Sequence, residues 1–154
     1  MRSWPFMVML FVLVQCPAQQ EVQWLTFAQL EDSLSVKPKK VLLNFYADWC
    51  AYCKKMEAVA FKDPKVVATL KAGYYTLSMD TETKDTITFG GTTFTNQQWG
   101  KRRNPTHDIP LLLASRDNQR FSVPALVILN EKFEVTARQF TYLNPKQLLD
   151  FLEN

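Results

Sequence analysis

The chain has 154 residues, 47% of them hydrophobic and 21% charged, and its 18 Lys and Arg against 15 Asp and Glu give a formal charge of +3. Such a length suits one domain able to bury a core without disulfide staples, and the average composition excludes disordered and fibrous chains. The near-neutral balance gives no sign of a nucleic-acid partner: the basic clusters Lys37 to Lys40 and Lys101-Arg102-Arg103 lack interleaved aromatics and read as solvated loops.

Residues 1–18 have the organisation of a secretory signal peptide. Arg2 is a short positive region, Phe6 to Val14 is an uncharged apolar run of nine residues, and Cys16-Pro17-Ala18 offers small residues before a cut. The run is shorter than the roughly 20 residues of a membrane-spanning helix. Leu13-Val14-Gln15-Cys16 resembles a bacterial lipoprotein box, but Gln15 stands where that box takes a small residue, which places anchoring through Cys16 behind simple cleavage. The expected product is an exported domain, residues 19–154, of charge +2 whose only cysteines are Cys50 and Cys53. Joining two cysteines so close together removes little unfolded-state entropy, so the pair reads as reactive rather than structural.

The elements follow in chain order. Thr26 is a candidate N-cap with Gln29 three residues on, opening a helix to about Leu34 that Lys37-Pro38-Lys39-Lys40 breaks. Val41 to Tyr46 is nearly continuous in apolar residues, as in a central parallel strand covered on both faces. From Cys50 the spacing is helical, with Met56, Val59 and Ala60 on one side. Asp63-Pro64 starts a further helix as N-cap and N1, carrying Val66, Val67 and Leu70 toward the core, and Tyr74 to Met79 is the next strand.

Thr86 to Thr95 alternates around Gly90-Gly91 as a β-hairpin does, and Thr106 is expected to cap a helix running through Leu111 to Leu113. His107, in the first turn of that helix, reads as a surface residue rather than a catalytic one. Phe121 to Leu129 and Phe133 to Tyr142 are strands joined by the turn Asn130-Glu131-Lys132, and Pro145 begins a last helix with Leu148, Leu149 and Leu152.

Trp49-Cys50-Ala51-Tyr52-Cys53-Lys54 carries the chemistry. Two cysteines one helical turn apart bring their sulfurs within disulfide reach. Tetrahedral zinc needs four ligands, and beyond the pair the exported chain has only His107 and carboxylates, so no metal site is expected. Covalent haem attachment needs His where Lys54 stands.

Asn44-Phe45-Tyr46-Ala47-Asp48-Trp49-Cys50-Ala51-Tyr52-Cys53-Lys54 resembles the active-site strand and helix of thioredoxins, and Phe121-Ser122-Val123-Pro124-Ala125-Leu126 resembles their cis-proline strand. The Tyr-Ala-Asp-Trp-Cys run and Lys54-Lys55-Met56-Glu57 are similar to exported thioredoxin-like proteins, including the C-terminal domain of the bacterial thiol:disulfide interchange protein DsbD. The likeness covers about Phe27 to Leu152 apart from the segment between Thr81 and Asn118. It implies an α/β thioredoxin fold, a central mixed β-sheet flanked by helices, with a hairpin and helix inserted at about residues 81–118 before the cis-Pro strand. Asp80 and Pro124 are 44 positions apart, roughly twice the separation in a thioredoxin. The insertion is read either as a partner-selecting flap or as a hairpin and helix that close the fold.

The resemblance also implies the site. Cys50, at a helix N-terminus, is the nucleophile and Cys53 the resolving thiol, so the redox-active disulfide itself replaces a cofactor. Pro124 has a cis bond to Val123, leaving the Val123 backbone free to pair with substrate. Apart from the resemblance, Trp49 is expected to pack against the motif, and Tyr52 and Trp99 to be exposed contact residues. Thioredoxins carry a buried Asp at the position of Asn44, which cannot accept the proton of Cys53. Glu57, one helical turn beyond Cys53, matches an acidic position in DsbD-like sequences and is either the proton acceptor or a solvated partner of nearby lysines.

Ala51 and Tyr52 are uncharged where strong oxidants place His, so a reducing pair is expected, nearer about −270 mV than about −120 mV. The expected function is reduction of protein disulfides in the bacterial periplasm by a monomer, fed by a membrane thiol-electron donor. The competing reading is a redox-inert binding module with a static disulfide.

Overall fold

A computed structural model describes residues 21–153; the signal peptide, Cys16 and its lipoprotein alternative lie outside the described residues. Thr26 accepts the Gln29 N–H while the Gln29 side chain accepts the Thr26 N–H, a reciprocal cap that opens α1 (Phe27–Val36) after the two-residue strand β1 (Trp24–Leu25). Next come β2 (Lys40–Tyr46), α2 (Ala51–Ala58), a 3₁₀ turn (Ala60–Lys62) and α3 (Pro64–Gly73). Asp63 caps α3 by accepting the Lys65 and Val66 N–H groups, with Pro64 at the first position, where no N–H is needed. The chain continues through β3 (Tyr74–Asp80), the hairpin β4 (Ile87–Phe89) and β5 (Thr92–Phe94), α4 (Asp108–Ala114), β6 (Ala125–Leu129), β7 (Val135–Gln139) and α5 (Pro145–Glu153).

The main sheet has the order β1-β3-β2-β6-β7. β1 and β2 run parallel to β3, while β6 is antiparallel to β2 and β7 antiparallel to β6, so the sheet is mixed. Alternation along β2 divides the core. Val41, Leu43 and Phe45 join Leu30 of α1 and Ile109 of α4 on one face; Leu42 joins Met56 of α2, Leu70 of α3 and Leu148 and Leu152 of α5 on the other. β6 repeats the division, with Ala125, Val127 and Leu129 on the first face and Leu126 and Ile128 on the second. Asn44 shares the face of Leu42, which sets it on the side where α2 begins.

Several boundaries differ from the sequence expectation. Residues 121–124 do not join the ladder: pairing with β2 starts at Phe45 opposite Ala125, and Pro124 has no N–H to contribute. β7 starts at Val135 rather than Phe133, because Phe133 has φ 64 and donates its N–H to the Asn130 carbonyl, closing the turn. Val59 is 44% exposed rather than aligned with Met56 and Ala60, since α2 stops at Ala58 and the tighter 3₁₀ turn changes the angular step.

The inserted segment is a packed structure. Gly90 and Gly91, with φ of 58° and 73°, form the two-residue loop that joins β4 to β5, the mirror-image turn that matches strand twist. Ile87, Phe89 and Phe94 pack against the first core face, Phe89 meets Phe27 and Phe133, and the Gly90 N–H donates to Glu31.

His107, not Thr106, caps α4, and it is fully buried rather than a surface residue. Its Nδ1 accepts the Ile109 N–H at 3.2 Å, so Nε2 carries the hydrogen and donates to the Asp85 carbonyl at 3.1 Å. Both ring nitrogens are satisfied, which removes most of the cost of burial. Burial holds His107 below the usual imidazole range, against the opposing influence of the Asp85 carbonyl and of the Asp108 and Asp85 charges.

Candidate active site

Cys50 and Cys53 form a disulfide with Cα atoms 5.2 Å apart. Cys50 is the N-cap of α2, and its Sγ accepts the Cys53 N–H at 3.1 Å. The loop before it is set by the Cys50 N–H donating to the Ala47 carbonyl. Both residues are nearly covered, Cys50 at 4% exposure and Cys53 at 7%, so depth does not distinguish them. What does is position on the helix: Cys50 Sγ faces the unpaired N–H groups of the first turn, whereas Cys53 lies inside it.

Ala47 and Val123 pack with the pair, and the Val123–Pro124 peptide is cis. Val123 therefore lies beside the disulfide, and Pro124 is buried just before β6.

Two concavities flank the pair. A cleft of about 440 Å³ reaches Cys53 and is lined also by Asn44, Tyr46, Asp48, Lys54, Glu57 and Ser78. Asn44 Nδ2 donates to Ser78 Oγ at 3.0 Å, across the β2–β3 register that sets these residues opposite each other. Glu57 is exposed on the cleft wall. Tyr46 is pushed above the usual phenol range, first by burial and then by the Asp80, Asp48 and Glu57 charges. Asp80 is also held above the usual carboxylate range by burial; accepting the Glu82 N–H opposes this, and Asp48 and Glu82 add to it.

On the other side Trp49 is 59% exposed, so it stands out from the motif instead of packing under it. Its Nε1 donates to Glu82 Oε1 at 2.7 Å, and Asn104 Nδ2 donates to the same oxygen at 2.9 Å. Glu82 thereby ties the residue before Cys50 to the insertion. The Thr81 N–H and hydroxyl both donate to the Tyr46 carbonyl, and the His107 N–H donates to the Thr81 carbonyl, so α4 is anchored to the end of β2. Tyr52 is 63% and Trp99 52% exposed, as their expected contact roles need; Tyr52 lies 6.2 Å from Tyr142 between ring centres.

Sequence reading missed Glu82 and buried His107. Glu82 did carry a signal, since it lies just past the carboxyl end of a strand parallel to β2, where sites of α/β sheets collect. Its pairing with Trp49, 33 positions away, has no local signature.

Among the described residues no cluster of three or more His, Cys, Asp or Glu could hold a metal ion. No helix of the described residues is long and apolar enough to cross a membrane.

Residues 28–154 match the family model of the thioredoxin-like domain. The chain belongs to that family. It is 58% identical over 33 residues to the thiol:disulfide interchange protein DsbD of Vibrio vulnificus, a stretch covering 21% of this chain and 6% of that protein, so the chain spans only a small part of the curated relatives it matches. Among solved structures, a thioredoxin from Thermus thermophilus superposes with a TM-score of 0.58 at 18% identity, over 86% of this chain and 85% of that one. The reduced DsbD C-terminal domain of Neisseria meningitidis gives a TM-score of 0.52 at 18% identity, over 82% and 90%. At these identities the structural likeness shows the fold.

Proposed function

We propose that the chain is an exported thiol-disulfide oxidoreductase that reduces protein disulfides, with Cys50 as nucleophile and Cys53 as resolving thiol. The observation that carries this reading is the seat of Cys50 Sγ at the N-cap of α2, on the Cys53 N–H, with Val123 packed beside the pair. In the reduced protein that seat favours thiolate over thiol.

The Cys50 thiolate attacks one sulfur of a partner disulfide, forming a mixed disulfide and expelling the partner's other sulfur as a thiolate. Cys53 then gives up its proton and attacks Cys50 Sγ, releasing the second partner thiolate. The partner gains two electrons and takes up two protons; Cys50 and Cys53 lose two electrons and become the disulfide.

Asn44 cannot take the Cys53 proton. Glu57, on the wall of the cleft that reaches Cys53, serves as acceptor, with cleft water completing the path. Trp49 and the Val123–Pro124 turn hold the partner chain. The uncharged Ala51-Tyr52 pair supports the reducing direction, and the DsbD-like stretch supports the bacterial periplasm and a membrane thiol-electron donor.

Equilibration with glutathione or dithiothreitol, with free thiols counted, tests the reading. A potential between about −270 and −200 mV is expected. A value near −120 mV reverses the direction, and a pair still oxidised below about −300 mV makes it a static disulfide in a binding module.

A further inference from the structure

Of the Lys101-Arg102-Arg103 cluster, Arg102 lines a groove shared with Trp49, the residue before Cys50. Arg102 and Arg120 line a groove of about 790 Å³ whose wall includes Trp49 at one side and Leu111 and Phe121 as its apolar part. Neither guanidinium has an ion-pair or hydrogen-bond partner among the described residues. Glu82, the carboxylate at this rim, has its Oε1 engaged by Trp49 and Asn104. The groove approaches the reactive pair through two chain neighbours: Trp49 precedes Cys50, and Phe121 stands two residues before Val123, which packs on the disulfide.

The loop that carries Arg102 is built rather than loose. Asn96 Nδ2 donates to the Thr83 and Pro105 carbonyls, Gln98 Oε1 accepts the Thr106 N–H, and Asp108 Oδ2 accepts the Thr95 N–H. Arg116, by contrast, is already engaged by Ser122 Oγ and lies 4.0 Å over the Phe140 ring, so it is not available to the groove.

Two unpaired guanidiniums flanking an apolar strip and an exposed indole suit an extended chain with carboxylates at intervals and an apolar residue between them. We infer that this groove docks an acidic polypeptide segment, the stretch beside the reactive disulfide of the substrate protein. The inference rests on the proposed exchange reaction for the identity of its partner, while the docking itself is measurable without that reaction. Arginine suits such a groove because its planar fork takes a carboxylate through two hydrogen bonds.

Two disulfide peptides differing only in having Glu or Gln at the flanking positions are reduced by the dithiol protein at low salt, beside uncharged hydroxyethyl disulfide. The Glu peptide is expected to react about tenfold faster than the Gln peptide, an advantage that shrinks as salt is added. The double variant Arg102→Ala, Arg120→Ala brings the ratio toward one, and Arg102→Lys, Arg120→Lys retains part of it. Equal rates in the unaltered protein, or a preference that survives the double Ala variant, overturn the inference.

Calorimetry of the oxidised protein with a cysteine-free Glu peptide separates docking from chemistry. Binding that the double Ala variant weakens about tenfold supports the groove even where hydroxyethyl disulfide goes unreduced, the result that sinks the exchange reading instead. A single-stranded oligonucleotide of equal charge binding more tightly than the peptide overturns the assignment of a polypeptide.

Discussion

The two flanks of the Cys50–Cys53 pair differ in charge and in origin. The cleft that reaches Cys53 holds Asp48 and Glu57 with Lys54, and it is built from β1, β2, the loop after β2, α2 and β3. The groove beside Trp49 holds Arg102 and Arg120 and no carboxylate among its lining residues, and apart from Trp49 its walls come from the inserted segment and the residues just after it. One flank is made by the frame that makes the disulfide, and it is the flank to which the proposed exchange assigns the proton. The other is made mostly by the inserted segment, and it is the flank to which the docking inference assigns the choice of partner.

The sharpest way to break this division is at its shared centre. Cys50→Ser is expected to abolish exchange, and Cys53→Ser to leave a stable mixed disulfide that non-reducing electrophoresis detects; exchange that persists in Cys50→Ser removes the nucleophile from the account. On the Cys53 flank, Glu57→Gln is expected to slow resolution of the mixed disulfide by up to about a hundredfold, the lower range for loss of a general base, and to change the pH–rate profile. An unaltered profile assigns Glu57 to the solvated surface.

On the Trp49 flank, Glu82→Ala frees the indole and Asn104. The expected result is a several-fold fall in the rate with polypeptide disulfides, larger than the fall with hydroxyethyl disulfide. Equal falls for both substrates would place Glu82 in the support of Cys50 rather than of the groove.

The smallest effect is set by pH. His107 is depressed below the usual value of about 6.5 by burial, and its Nδ1 accepts the Ile109 N–H, a bond the imidazolium cannot accept. Because the folded state disfavours the proton, the contribution of His107 is complete above about pH 6.5 and declines as pH falls through the lower folded value. The melting temperature is expected to fall between pH 7.5 and pH 5 by more in the unaltered protein than in His107→Asn, which retains a capping side chain that does not titrate. Identical shifts in both proteins would dissociate the insertion's stability from His107.

Much of the frame is legible because its signals are local. The apolar run Val41 to Tyr46 specifies a strand buried on both faces, the Thr26–Gln29 pair and Asp63-Pro64 mark helix starts, and two adjacent glycines define the hairpin turn. Cys50 and Cys53 are legible for the same reason: three positions on a helix place them together whatever surrounds them. Strand ends were harder. Whether Phe121 to Val123 or Phe133 joins a ladder depends on a partner strand distant in sequence, and the Phe133 N–H closes a turn on the Asn130 carbonyl instead.

The opposite fate of two single residues follows from the same difference in range. His107 reads as a surface residue from its place in the first turn of the expected helix, yet it is buried, with the Asp85 carbonyl and the Ile109 N–H converging on its ring. Trp49 is expected to pack against the motif, yet it is exposed, held by a carboxylate at position 82. Periodicity and capping act over a few residues of backbone, so the chain alone carries the elements, the thiol pair and the family pattern. Burial and charge partnership are set by whatever the chain brings back from dozens of positions away, so only the folded molecule decides that the insertion closes one core face with its hairpin and that Arg102, in its remainder, and Arg120, just after it, line one groove with Trp49.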